Sequence, residues 1–349
     1  MSGLDEDRLH KIQEPAIDPA RPIIDPHQHI WTAKFTPYIE HFGTSTADDF
    51  LRGIAQSGHN IVSTVHLTIQ LDYREDMPKE MRPVAETEFL DRMADEVASR
   101  EPAVARLASG IVAGADMLMG ADVERILDAH TQASPGRFKG IRHAVAYHPS
   151  PLIPFKEHRD GILAEPEFVE AARVLARRGL SLDIFVFYNQ LPQVVALAKA
   201  VPDLHIVLNH TGGLLTDPRF AGEFDTILAE WKQSMKAVGA CENVVVKIGG
   251  LGMVPTAGDR WASRPLPPTS EELAAWQRDY LLHAIDCFTV DRAMFESNFP
   301  VDKPTANYGI VWNAFKRIAA DFSETEKHML FFERANQSYR LDSPAHLPL

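Results

Sequence analysis

Between Leu180 and Phe187 the chain runs LSLDIFVF, almost continuously apolar and flanked by helical patterns on both sides. A strand of this kind suits a parallel sheet covered on both faces rather than a half-solvated antiparallel one. The segment before it opens on Glu165-Pro166, with proline at a tolerated first-turn position, and carries Phe168, Ala171, Ala172 and Leu175 at helical spacing. Gly179 suits a left-handed stop, and a second helix is expected over Leu191–Ala200. The same alternation predicts strands at Ile23–His29, Ile61–Ile69, Val104–Val112, Phe138–Val145, Leu180–Phe187, His205–His210, Asn243–Ile248 and Ala293–Asn298. Eight strands with helices between them predict an α/β fold, a single-domain (β/α)8 TIM barrel over residues 21–349, with residues 1–20 as an N-terminal extension. A doubly wound open sheet is the runner-up, but no glycine-rich dinucleotide fingerprint follows any strand.

Bulk composition narrows the partners. The 349 residues carry a formal net charge of −13, which argues against nucleic acid or an anionic membrane as partner. Only Cys241 and Cys287 are present, so neither a disulfide-stapled scaffold nor a CxxC site is expected. The N-terminus has no apolar core of the signal-peptide kind, and no run approaches the ~18–20 apolar residues of a membrane span. A cytosolic protein acting on a small molecule is the default expectation, and a homo-oligomer is compatible with it.

Two long excursions follow strands, the side on which a barrel builds its active site. Leu71–Glu86 contains Arg74, Arg82 and Glu86, of which Arg82 is a substrate-binding candidate; Gly249–Ser270 is rich in Pro and Gly. The first strand ends in 23-IIDPHQHIW-31, where alternation puts Asp25, His27 and His29 on one face. Such polar residues suit the lumen at the C-terminal mouth better than the helix layer. Two imidazoles two residues apart can bind one divalent ion or one oxyanion, and Asp25 can hold an imidazole tautomer. His210 ends the run IVLNH before Gly212-Gly213, a position suited to a ligand-binding or carbonyl-polarising histidine.

The segment IIDPHQHIW resembles the first-strand signature of the amidohydrolase superfamily. The similarity is strongest to the amidohydrolase-related group that includes sugar-lactone and 2-pyrone-4,6-dicarboxylate lactonases. It extends from Ile23 to Tyr339, with IRHAVA at 141–146, IVLNHTGG at 206–213, VVVKIGG at 244–250 and MFESNFPV at 294–301. The resemblance implies a (β/α)8 barrel that hydrolyses a C–O bond, with His27, His29 and His210 lining the pocket. Members with two metals carry a carboxylated lysine on the fourth strand and a histidine after the fifth. The fifth strand here offers Tyr188 and Asn189 instead, so two metals are not expected. One divalent ion, Zn²⁺, held by His27, His29, His210 and Glu296, and metal-independent catalysis are both compatible with the residues.

The resemblance also favours Arg142 over His143 as the inward residue of the fourth strand, pairing with a substrate carboxylate or carbonyl; an ion pair with Asp183 is the structural alternative. His66 and Tyr188 are weaker candidates for substrate hydrogen bonds. Lys247 either holds a substrate oxyanion or, as the favoured reading, neutralises Glu296 on the next strand. His59, His148 and His158 read as solvated loop residues.

The relatives end the last strand with Gly-Ser-Asp, an aromatic residue and Pro, and that Asp activates water. This chain has 296-ESNFP-300, so Asn298 replaces the base and an amide accepts no proton at neutral pH. Glu296, in place of Gly, lies on the same strand face about 6.6 Å away if the strand continues. Glu296 is therefore expected as base or metal ligand, Asn298 as an orienting group, and Asp302 as the rival base. The leading expectation is hydrolysis of a lactone or related cyclic ester of a small carboxylated or hydroxylated compound. The alternatives are a metal-dependent, non-oxidative decarboxylase of an aromatic acid and a catalytically degenerate ligand-binding barrel.

Overall fold

A computed structural model describes residues 6–31, 45–69, 74, 76–100, 105–143, 145–153 and 159–343. Eight parallel strands follow one another in spatial order: β1 (Ile23–Gln28), β2 (Ile61–Leu67), β3 (Arg106–Gly114), β4 (Phe138–Arg142), β5 (Ser181–Ile184), β6 (His205–Leu208), β7 (Val244–Ile248) and β8 (Ala293–Phe295). Each leads into one main helix: α1 (Ala47–Ser57), α2 (Pro83–Arg100), α3 (Glu124–Ala133), α4 (Pro166–Arg177), α5 (Leu191–Ala200), α6 (Phe224–Gly239), α7 (Ser270–Phe288) and α8 (Tyr308–Ile318). The seam between first and last strands is joined just past β8, where Gln28 bridges Phe299 and the His29 N–H donates to Phe299 O at 2.8 Å. The architecture is a (β/α)8 barrel.

The helix signals explain the local boundaries. Pro166 occupies the first turn of α4, and Phe168, Ala171, Ala172 and Leu175 form its buried stripe. Gly179 takes φ 64°, a left-handed conformation that costs glycine nothing. Thr269 caps α7 while Glu272 reaches back to the Thr269 N–H, a reciprocal capping box.

Inside the barrel, Ile24, Val62, Val65, Leu67, Val112, Val207, Val245 and Met294 pack against Phe332, Ala335 and Tyr339. The last two belong to α9 (Arg334–Tyr339), which closes the N-terminal end of the lumen. A second, larger apolar layer lies between strands and helices. Residues 6–21 run along the outside: Arg8 Nε donates to Arg264 O at 2.7 Å, and Lys316 on α8 donates to Ile17 O and Asp18 O, each at 2.8 Å. Among the described residues no helix is long and apolar enough to cross a membrane.

Most strands end before the bounds expected from the sequence. β5 stops at Ile184 and β8 at Phe295, because the chain leaves the ladder to build the mouth. Val104 and Ala144, inside two of the expected strands, lie outside the described residues, as do His158 and most of Leu71–Glu75. His59 is buried rather than solvated: its Nδ1 faces Lys316 Nζ at 3.0 Å and its Nε2 faces Gly309 O at 3.3 Å. His148 is half-buried, with its ring 5.7 Å from those of Tyr188 and Phe220.

Candidate active site

The C-terminal strand ends bring His27 (β1), His29 (after β1), His66 (β2), Arg142 (β4), His210 (after β6), Lys247 (β7) and Glu296 (after β8) to one end of the barrel. Glu296 is the hub. Its Oε1 meets His210 twice, at 2.7 Å from the backbone N–H and 2.8 Å from Nδ1. Its Oε2 lies 2.6 Å from His27 Nδ1, without the alignment of a hydrogen bond. The rings of His27 and His210 are 4.5 Å apart, and those of His27 and His29 5.0 Å.

Burial dominates the electrostatics. His27, His29 and His210 are held well below their ordinary pKa by desolvation, and the nearby Arg142 guanidinium lowers all three further, so the imidazoles are neutral. The same desolvation pushes the Glu296 carboxyl up to about 7, against the pull of Lys247, the His210 N–H and Arg142. A carboxylate poised near neutrality between neutral imidazoles can take and return a proton at physiological pH.

His27, His210 and Glu296 bring one ligand atom each within 4.8 Å of one another. His27 Nε2 and Glu296 Oε2 are buried without a hydrogen-bond partner among the described residues. Orphaned acceptors on a two-histidine, one-carboxylate set are suited to a catalytic zinc ion. His29 stands beside this group, with its Nδ1 turned to Leu67 O at 2.8 Å.

Several expectations change at this resolution of contacts. Among the described residues, Asp25 holds no imidazole side chain. Its oxygens accept from the Ser297 N–H at 3.1 Å, Ser297 Oγ and the Tyr308 hydroxyl at 2.9 Å, on the helix side of the strand. A register shift between Asp25 and Gln28 breaks the alternation that would have aligned Asp25 with His27. Lys247 pairs directly with Asp183, at 2.9 Å, rather than with Glu296, and reaches His27 Nδ1 at 3.5 Å. Asp183 also accepts from Asn209 Nδ2 at 3.0 Å and from the Tyr339 hydroxyl at 2.8 Å.

His66 has both nitrogens engaged, Nδ1 with the Ile30 N–H at 3.4 Å and Nε2 with Glu86 Oε1 at 3.3 Å, which fits a structural tie better than substrate binding. Arg82 donates to Met77 O at 3.3 Å, one turn ahead of Glu86. Tyr188 lies at the start of the turn after β5, its hydroxyl pKa raised by burial. Asn298 does not continue β8: with φ 53° it is left-handed, and its Nδ2 donates to Asp302 Oδ1 at 2.7 Å. Asp302 Oδ2 accepts from the Gly252 N–H at 2.9 Å, and burial pushes this carboxyl up to about 8. Asp302 is thus committed to Asn298 and the 252 loop, while Glu296 meets the histidines.

Comparison with known proteins agrees with the fold. The amidohydrolase family model matches residues 24–341. The chain belongs to the amidohydrolase family. The uncharacterized protein y4mH of Sinorhizobium fredii is 34% identical over 335 residues, covering 91% of this chain and 98% of that one. The L-fucono-1,5-lactonase of Burkholderia multivorans is 32% identical over 186 residues, covering 52% of this chain and 58% of the lactonase. A crystal structure of an amidohydrolase from Burkholderia multivorans with bound Zn has the same fold, at TM-score 0.68 and 24% identity, covering 92% and 99% of the two chains.

Asp183, which holds Lys247, and Ser297 and Tyr308, which hold Asp25, escape a motif-by-motif reading of the sequence. Asp183 was the most accessible of them, a lone acid inside the apolar run LSLDIFVF.

Proposed function

We propose that the protein is a lactonase-type hydrolase that opens a lactone or related cyclic ester of a small carboxylated or hydroxylated compound. The observation that carries this reading is Glu296, raised to about 7 and touching both His27 and His210. Similarity to a sugar lactonase supports the reaction class.

In this reading Glu296 takes a proton from water as the oxygen adds to the ring carbonyl. The ring C–O bond then breaks, and the proton returns from Glu296 to the departing alkoxide, giving the hydroxy acid. Neutral His27 and His210 hold the carboxylate in place, Arg142 orients a substrate carboxylate or carbonyl, and Tyr188 supplies a hydroxyl donor. A Zn²⁺ held by His27, His210 and Glu296 would polarise the carbonyl, with Glu296 then serving as ligand.

The test joins metal analysis of protein purified without chelator to a lactone panel followed by proton release. One ion per chain, with turnover lost on chelation, is the metal-assisted outcome; turnover without metal moves the polarising role to His27, His29 and Arg142. Release of CO₂ from aromatic acids with no lactone opened would replace this reading by a decarboxylase. Tight lactone binding without turnover would replace it by a ligand-binding barrel.

A further inference from the structure

Four successive residues after β6 are left-handed: His210 at φ 56°, Thr211 at 51°, Gly212 at 67° and Gly213 at 65°. Glycine adopts this region freely, but a β-branched residue there is an outlier, at a cost on the order of 1–2 kcal/mol. Such a conformation persists only where its surroundings over-determine it. Here they do. Thr211 Oγ1 donates to Gly249 O at 2.8 Å and accepts from the Gly249 N–H at 2.9 Å. The Trp231 indole N–H, from α6, donates to Thr211 O at 2.9 Å.

The β6–β7 ladder ends at Leu208 and Val246. Beyond it, the Thr211 hydroxyl takes over and binds both polar groups of Gly249. The stretch so gripped is the floor of the site. A Cβ on Gly250 would lie 2.3 Å from His210 Nδ1, and one on Gly249 would lie 2.8 Å from Glu296 Cγ. Bare backbone at 249–250 is therefore what the His210 ring and the Glu296 side chain rest against.

We infer that Thr211 is a positioning residue: its hydroxyl ties the end of β7 to the left-handed turn and so holds the His210 imidazole on Glu296. The kinetic consequence rests on the hydrolase reading above, whereas the geometric one does not.

The test uses the full chain with Thr211→Val, which keeps shape and β-branching but no hydroxyl, and Thr211→Ser, which keeps the hydroxyl. With dihydrocoumarin as substrate, T211V is expected to lower kcat by about tenfold to a hundredfold, with KM changed by less than about twofold. T211S is expected to stay within about threefold of the parent, since one hydroxyl suffices for both bonds to Gly249. In a crystal structure of T211V the His210 Nδ1 to Glu296 Oε1 contact should open beyond about 3.5 Å, the limit of a hydrogen bond. Parental kcat in T211V, or an unchanged contact, overturns the inference. If the parent opens no lactone, the hydrolase reading fails and the crystallographic contact alone decides for Thr211. Should T211V not fold, Thr211→Ala removes the hydroxyl without the β-branched strain of valine in a left-handed position. The same direction in kcat, or in the contact where no lactone is opened, is then expected, and parental values would overturn the role.

Discussion

One oxygen of Glu296 accepts from His210 twice, from the backbone N–H at 2.7 Å and at Nδ1 at 2.8 Å. A side chain gripped by both ends of one residue has little rotational freedom, so its second oxygen is aimed at His27. Glu296→Gln keeps the size and one acceptor but loses the proton-accepting and ligating charge. We expect kcat for lactone opening to fall by about 10²-fold or more, the usual range for loss of a general base. Hydrolysis by E296Q at near the parental rate would remove Glu296 from either role.

Asn298 and Asp302 form a donor–acceptor pair at 2.7 Å, and the Asp302 carboxyl stands at about 8. Introducing the aspartate that the family resemblance implies here, by Asn298→Asp, therefore puts two carboxyls in contact with no donor between them unless one holds a proton. The variant is expected to lose about 1–3 kcal/mol of stability at pH 8–9 in urea melts, the cost of an unmatched buried polar group, and to gain no activity. Adding Asp302→Asn should recover most of the loss, because the amide donor then sits on the other side. A marked rise in turnover in N298D would instead show that the absent aspartate was the limiting base.

The barrel was legible in the sequence because its signals are periodic and repeated. Eight apolar runs with helical stripes between them admit few architectures, and Leu191–Ala200 is the helix expected there, end for end. Strand ends were less legible, since apolar character continues at 185–187 after the ladder has stopped. Alternation predicts side-chain direction only while the strand is regular. The register shift in β1 turns Asp25 to Ser297 and Tyr308, and the left-handed Asn298 turns its amide to Asp302. The departure at Glu296 was visible by residue type alone. The partner of Lys247 was not, because choosing Asp183 over Glu296 depends on which inward residues share a depth in the lumen.

That depth has an energetic consequence. Lys247 and Asp183 are both fully buried and paired at 2.9 Å. Lys247→Met leaves Asp183 to the neutral donors Asn209, Tyr339 and Ser181. Breaking a buried pair from one side typically costs about 3–5 kcal/mol, whereas removing both charges is often neutral. K247M should therefore melt far below the parent, and K247M with Asp183→Asn should regain most of the difference. Equal stability of the single and double variants would mean that the ion pair is not what holds this layer.

His59 makes the pH dependence of stability testable away from the site. Its Nδ1 faces the Lys316 ammonium at 3.0 Å, and burial together with that charge lowers it to about 4. An imidazole in the unfolded chain titrates near the ordinary 6.5, so between about 6.5 and 4 the unfolded state binds the extra proton. Stability from this group is thus intact above about 6.5 and falls with pH across that window, by on the order of 2–3 kcal/mol at pH 4. His59→Gln keeps an acceptor for Lys316 and cannot titrate. Relative to the parent, H59Q should gain about that much between pH 7 and pH 4 in denaturant titrations. Parallel stability–pH curves for the two proteins would place the His59 proton on a group that ionises freely in the folded state.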